Sequence, residues 1–140
     1  MSSGETKARS IEDLMRAHVR YMVASLDRWL EFLSDDVTFE FPYGEAVGAK
    51  TLSGKQAIVE ALSPFVAAFE HLELGEPKLF SLRDETQGFC EFDGTGTVKG
   101  SGRKYNQHYL THIRCQGGKI THIKEFFDPY QVLRAFGKGE

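Results

Sequence analysis

Ile11, Leu14, Met15, His18, Tyr21, Met22 and Ser25 recur at spacings of three and four, which predicts a helix with one stripe turned to a core. Ser10, with Asp13 three residues on, is a capping-box start for it. A short second helix is expected over residues 27–34, presenting Trp29, Leu30, Phe32 and Leu33 and ending in the turn formers Ser34-Asp35-Asp36. Val37-Thr38-Phe39-Glu40-Phe41 then alternates apolar with polar, so a half-buried strand is predicted with Val37, Phe39 and Phe41 inward. Pro42-Tyr43-Gly44 stops it. Ser53-Gly54-Lys55-Gln56 repeats the capping-box pattern and opens a third helix through Leu62, with Pro64 marking a kink or break before Phe65.

From His71 the texture changes to strands over residues 71–81, 88–99, 103–115 and 119–127, then a short helix over 130–136. The connections at Gly100-Ser101-Gly102 and Gly117-Gly118 are tight enough to join antiparallel neighbours. Helices first and a meander afterwards is an α+β order, and the glycines at 94, 96 and 100 suit bulges that would curl the sheet. The expectation is one domain over residues 10–137, a curved antiparallel sheet wrapped around three or four helices and a small-molecule pocket, preceded by a flexible stretch over 1–9.

Composition narrows the function. A chain of 140 residues, 41% hydrophobic and 26% charged, is long enough to bury a core without disulfides or metals. Its net charge of −3 and dispersed Lys and Arg argue against nucleic acid as a partner. No stretch approaches the roughly 20 apolar residues of a membrane span, and the first residues have no apolar signal core, so a cytoplasmic location is expected. Cys90 and Cys115 read as small buried hydrophobes. No metal is expected: there is no His-Glu-x-x-His or EF-hand pattern, and His108 and His112 stand far apart on a strand. Phosphate and dinucleotide motifs are absent too, so no cofactor is expected.

Candidate chemistry gathers on the last two strands. Thr121, Ile123, Glu125 and Phe127 share one face of the final strand, with His122 and Lys124 on the other. A carboxylate among apolar neighbours is costly unless paired, which makes Glu125 the best candidate for proton transfer, unless a backbone donor or an Arg holds it. On the preceding strand Tyr105, Gln107, Tyr109, Thr111, Ile113 and Cys115 form one face, fit either to orient a ligand or to close a polar network. A bulge there would bring His108 inward instead. His18, at the centre of the first helix's stripe, is either a proton carrier on the far side of the pocket or a hydrogen-bonded core residue. Trp29, Phe39 and Phe41 supply packing walls for a ligand.

The stretch Phe32-Leu33-Ser34-Asp35-Asp36-Val37-Thr38-Phe39-Glu40-Phe41-Pro42, and the ending from Gly118-Lys119-Ile120 to Glu125-Phe126-Phe127-Asp128, resemble the SnoaL-like branch of the nuclear transport factor 2-like superfamily over about residues 10–137. That resemblance implies a cone-shaped α+β barrel, often a dimer formed through the open face of the sheet. Members include ketosteroid isomerases, polyketide cyclases, epoxide hydrolases and binding domains without chemistry. Glu91-Phe92-Asp93-Gly94-Thr95-Gly96, Tyr105-Asn106-Gln107-His108-Tyr109-Leu110 and Glu125-Phe126-Phe127 most resemble phenazine-biosynthesis A/B proteins, whose acid/base glutamate falls on Glu125. Their pocket histidine falls on Ala61, and the Asn before the His of their long strand falls on Gln107. Similarity to ketosteroid isomerases over Arg20-Tyr21-Met22-Val23-Ala24-Ser25-Leu26 implies an oxyanion-hole role for Tyr21, while their general-base aspartate falls on Phe41. The function implied is a cofactor-independent isomerase, cyclase or condensing enzyme acting by proton transfer on a small cyclic or conjugated carbonyl compound. The alternative is a binding or dimerisation domain of the same fold.

Overall fold

A computed structural model of the chain describes residues 9–137. Residues 1–8, most of the stretch expected to be flexible, lie outside it. The capping box forms as the sequence predicts: Ser10 Oγ accepts from the Asp13 amide and Asp13 Oδ2 from the Ser10 amide, each at 3.1 Å. It starts α1, Ile11–Tyr21, which buries Ile11, Leu14, Met15 and His18. The second helix, α2, is only Leu26–Leu30 and buries Trp29. Strand β1 begins earlier than the alternation indicates, at Leu33–Glu40. The residues read as a turn, Ser34-Asp35-Asp36, fall in a bulge between the paired positions Leu33 and Thr38. Local turn propensity is met by an irregularity inside the strand, because Leu33 is itself buried and paired.

A 3₁₀ turn over Glu45–Val47 and a two-residue strand β2, Leu52–Ser53, follow without any periodic signal to announce them. Ser53 pairs with Thr38 in that strand and so does not cap the next helix; Gly54, at φ 88°, takes the cap position. Helix α3, Lys55–Ala67, runs through Pro64 rather than breaking there. Proline removes one hydrogen bond near the helix end, and its ring lies on the exposed side.

The strand expected over 71–81 is two strands, β3 Phe69–Leu74 and β4 Lys78–Ser81, separated by Gly75-Glu76-Pro77. Strands β5 Gln87–Val98, β6 Lys104–Gln116 and β7 Lys119–Phe126 make the long meander, and α4, Pro129–Ala135, is capped by Asp128. The seven strands form one sheet in the order β2-β1-β7-β6-β5-β3, with β4 also on β5. All pairs are antiparallel except β1 with β7, which makes the sheet mixed. The curled sheet forms half a barrel around the helices, an α+β arrangement with four α-helices among the described residues.

The glycines of β5 do not bulge against β6, where the register is continuous. Their purpose is close approach: a Cβ at Gly96 would sit 2.5 Å from the His71 carbonyl oxygen, and one at Gly94 would meet the Tyr109 ring at 2.9 Å. On β7 a shift between Arg114 and Cys115 of its partner strand puts Ile120 inward beside Ile123 and Glu125, and leaves Thr121 half-buried. Two apolar clusters fill the concave side. The larger joins α1, α2 and the middle of the sheet; the smaller packs Phe69, Val98, Tyr105 and Ala135 with Phe65 and Phe136.

Candidate active site

A cavity of about 410 Å³ opens where the two clusters meet. Its floor is the sheet, through Tyr105, Tyr109, Glu125 and Phe127; its sides are Met22 and Val23 after α1, Phe41 after β1, and Leu62, Phe65 and Val66 of α3. The loop over residues 47–50 forms the rim and brings Lys50 to it. That volume suits a small ring compound.

Glu125 is the acid in this lining and is 5% exposed. The continuous pairing of Thr111 with Glu125 sets the two side chains on the same face, and Thr111 Oγ1 donates to Glu125 Oε1 at 3.3 Å. His18 Nε2 lies 3.6 Å from the same oxygen. No protein donor among the described residues bonds Oε2. On the same floor the Tyr105 and Tyr109 hydroxyls are 2.6 Å apart. Burial pushes Tyr105 up to about 12, and burial together with the Tyr105 and Glu125 charges raises Tyr109 well above the ordinary phenol range. Both phenols therefore stay protonated near neutral pH. One hydroxyl must donate to the other, whose own hydrogen is then free for a ligand oxygen. Cys90, buried behind the floor, is pushed up to about 12 by burial and by the Glu125 charge, which leaves it no nucleophile.

The candidate residues separate into three groups. Phe41, Tyr105, Tyr109 and Glu125 line the cavity. His18, Trp29 and Phe39 form the layer behind: Phe39 stacks on Phe41 at 4.5 Å between centroids, and His18 stands beside Glu125 instead of across the cavity from it. Tyr21, Gln107 and His108 lie elsewhere. Tyr21 stacks on Phe32 at 5.7 Å under the Arg28 guanidinium, which holds it out of the lining. Gln107 is buried, but its amide is spent on the Asp128 backbone, donating to its carbonyl at 2.9 Å and accepting from its N–H at 2.8 Å, so it fastens α4 to the sheet. With β5 and β6 in unbroken register, His108 faces outward between Asp93 at 2.6 Å and Glu91 at 2.7 Å, and these carboxylates raise its pKa.

Leu62, Phe65, Val66, Val132 and the 47–50 loop escaped the sequence reading because only tertiary closure brings them together. Thr111 was visible as a polar residue on the buried face of its strand. Among the described residues no group of three or more His, Cys, Asp or Glu could hold a metal ion, and no helix is long and apolar enough to cross a membrane.

Comparison with known proteins adds to this geometry. Residues 14–123 match the family model of the SnoaL-like domain. A Bacillus subtilis protein of solved structure, provisionally named an isomerase, superposes with a TM-score of 0.81 at 28% identity over 89% of this chain and 91% of that one. The phenazine biosynthesis protein PhzB of Pseudomonas fluorescens is 30% identical over 89 residues, which span 61% of this chain and only 55% of that protein. A Catenulispora acidiphila protein with a ketosteroid isomerase-like fold, solved with trimethylamine, has a TM-score of 0.74 at 19% identity over 89% and 92% of the two chains, a likeness of fold. Ala61 and Phe41, where the sequence resemblances would place a histidine and an aspartate, both line the cavity.

Proposed function

Because the chain belongs to the SnoaL-like domain family, we propose that its cavity carries out cofactor-independent proton transfer on a small cyclic or conjugated carbonyl compound, as an isomerase, cyclase or condensing enzyme. The observation that carries this reading is a nearly buried carboxylate, Glu125, set in the wall of a cavity lined mostly by apolar side chains, beside two protonated tyrosines. Glu125 is the acid/base group. A carbonyl oxygen resting on the free tyrosine hydrogen would gain negative charge as a neighbouring C–H proton moves to the carboxylate, and a preorganised donor in an apolar site stabilises such charge far better than water does. Phe41 and Phe127 would hold the ring in place. The relatives named for isomerase and for phenazine biosynthesis support an enzyme.

Glu125→Gln tests it. The amide keeps the shape and can still accept from Thr111, so folding and ligand binding should persist while turnover falls about a hundredfold or more. Unchanged turnover would remove Glu125 from the mechanism. A second reading, a binding domain without chemistry, draws on the apolar lining; a ligand bound equally by both proteins and altered by neither would favour it.

Pairing of two copies through the outer face of the sheet is also proposed. The helices cover the other face, and Leu110, 39% exposed, stands opposite Phe126, whose ring meets that of Tyr43. Glu91 and Asp93 lie toward one part of this face, and Arg114 and Lys124 toward another, so a twofold partner can match acidic with basic groups.

A further inference from the structure

Three aromatic rings box His18 behind Glu125: Trp29, Phe39 and Phe92 have centroids 5.9, 6.4 and 6.3 Å from the imidazole. The ring is 0% exposed, so both nitrogens depend on the protein for partners. Nδ1 has one, since the Trp29 indole N–H donates to it at 3.1 Å. Indole N–H only donates, so Nδ1 carries no proton and the imidazole proton sits on Nε2. Nε2 has no hydrogen-bond partner among the described residues, yet lies 3.6 Å from Glu125 Oε1. A shift of about half an ångström would close that gap to a hydrogen bond.

We propose that Trp29 and His18 are positioning residues for Glu125: the indole fixes the histidine tautomer, and Nε2–H closes on Oε1 when a ligand fills the cavity, leaving Oε2 to meet the ligand as a base. The proposal rests on the reading of Glu125 as the proton carrier and adds which of its two oxygens takes the proton. Thr111 already donates to Oε1, and with Nε2–H as a second donor that oxygen is occupied while Oε2 stays open to the ligand. An acceptor open at Oε2 suits the carbon acid of that reading, with a C–H next to a carbonyl, rather than a compound whose leaving group needs a proton first. In the step, the C–H bond breaks and an O–H bond forms at Oε2. The electron pair moves into the carbonyl to give an enolate that accepts from a tyrosine hydroxyl; the proton on Oε2 exchanges with solvent while the enolate is held, and Oε2 then delivers a proton back to a carbon.

The test combines imidazole 15N NMR of the histidine-labelled protein with exchange of the C–H protons of cyclohex-2-enone in D2O. His18 should carry its proton on Nε2 alone, and Trp29→Phe should release that preference so that an Nδ1–H form appears. The same variant, with its fold verified by circular dichroism, should exchange the probe about tenfold to a hundredfold more slowly. His18→Gln, whose amide N–H can reach the same oxygen, should retain more exchange than His18→Ala. An Nδ1–H tautomer or an imidazolium in the wild type overturns the proposal, as does exchange unaffected by both Trp29→Phe and His18→Ala. If Glu125→Gln exchanges as fast as the wild type while His18 keeps its Nε2 proton, the proton-carrier reading fails separately.

Discussion

Tyr105 and Tyr109 have a consequence measurable without a substrate. Their phenols are raised by burial, Tyr105 to about 12, whereas a tyrosine in the unfolded chain ionises near about 10. The folded state therefore holds protons that the unfolded state releases, and stability falls as pH rises from about 10 through about 12. Phenolate absorbance should show two tyrosines that ionise only as the fold opens, with the denaturation midpoint dropping over the same range. In Tyr105→Phe the remaining phenol loses its partner, and the alkaline loss of stability should shrink. Full ionisation of every tyrosine in the intact fold would mean that this pair is not sequestered.

At the scale of elements, the glycines of β5 govern how closely the sheet curls on itself. Gly96→Ala would drive a Cβ against the His71 backbone carbonyl, which cannot move aside without opening the pairing of β3 with β5. A loss of about 1–3 kcal/mol is expected by chemical denaturation. Gly94→Ala presses instead on the Tyr109 ring and the end of Leu74, which have more freedom to shift, so it should cost less stability and disturb the cavity floor more.

The inner face of strand β6 was readable because Tyr105, Gln107, Tyr109, Thr111 and Ile113 alternate without interruption and the register with β5 is unbroken, although the strand spans Lys104–Gln116 rather than 103–115. The first helix was readable because its stripe and its cap agree. Ser34-Asp35-Asp36 misled because their turn preference is met by an irregularity between the paired positions Leu33 and Thr38 and does not end the strand, and Ser53 because its pairing with Thr38 prevailed over a cap. The extra residue at Thr121 was invisible for a similar reason: a bulge is set by the partner strand and not by its own composition. Within the site, parity alone brought Glu125, Tyr105 and Tyr109 to the inner face. It could not tell that the Gln107 amide is consumed by Asp128, since that contact spans 21 residues.

For the whole molecule, the helices on one face of the sheet and the uncovered strands on the other divide the roles: the concave side encloses the cavity and the convex side is free to pair. Leu110→Glu would place a charge in the apolar strip beside Phe126 and should shift sedimentation from dimer toward monomer. A wild-type protein that sediments as a monomer at every concentration would leave that face without the proposed partner. The concave side holds the central claim, proton transfer by one buried carboxylate. Its most direct measurement is deuterium incorporation from D2O into a panel of small cyclic and conjugated ketones, with wild type and Glu125→Gln compared at equal folded concentration. The wild type should label a carbon beside or conjugated to the carbonyl, and the variant should be slower by about a hundredfold to ten-thousandfold. Equal rates in the two proteins would contradict it.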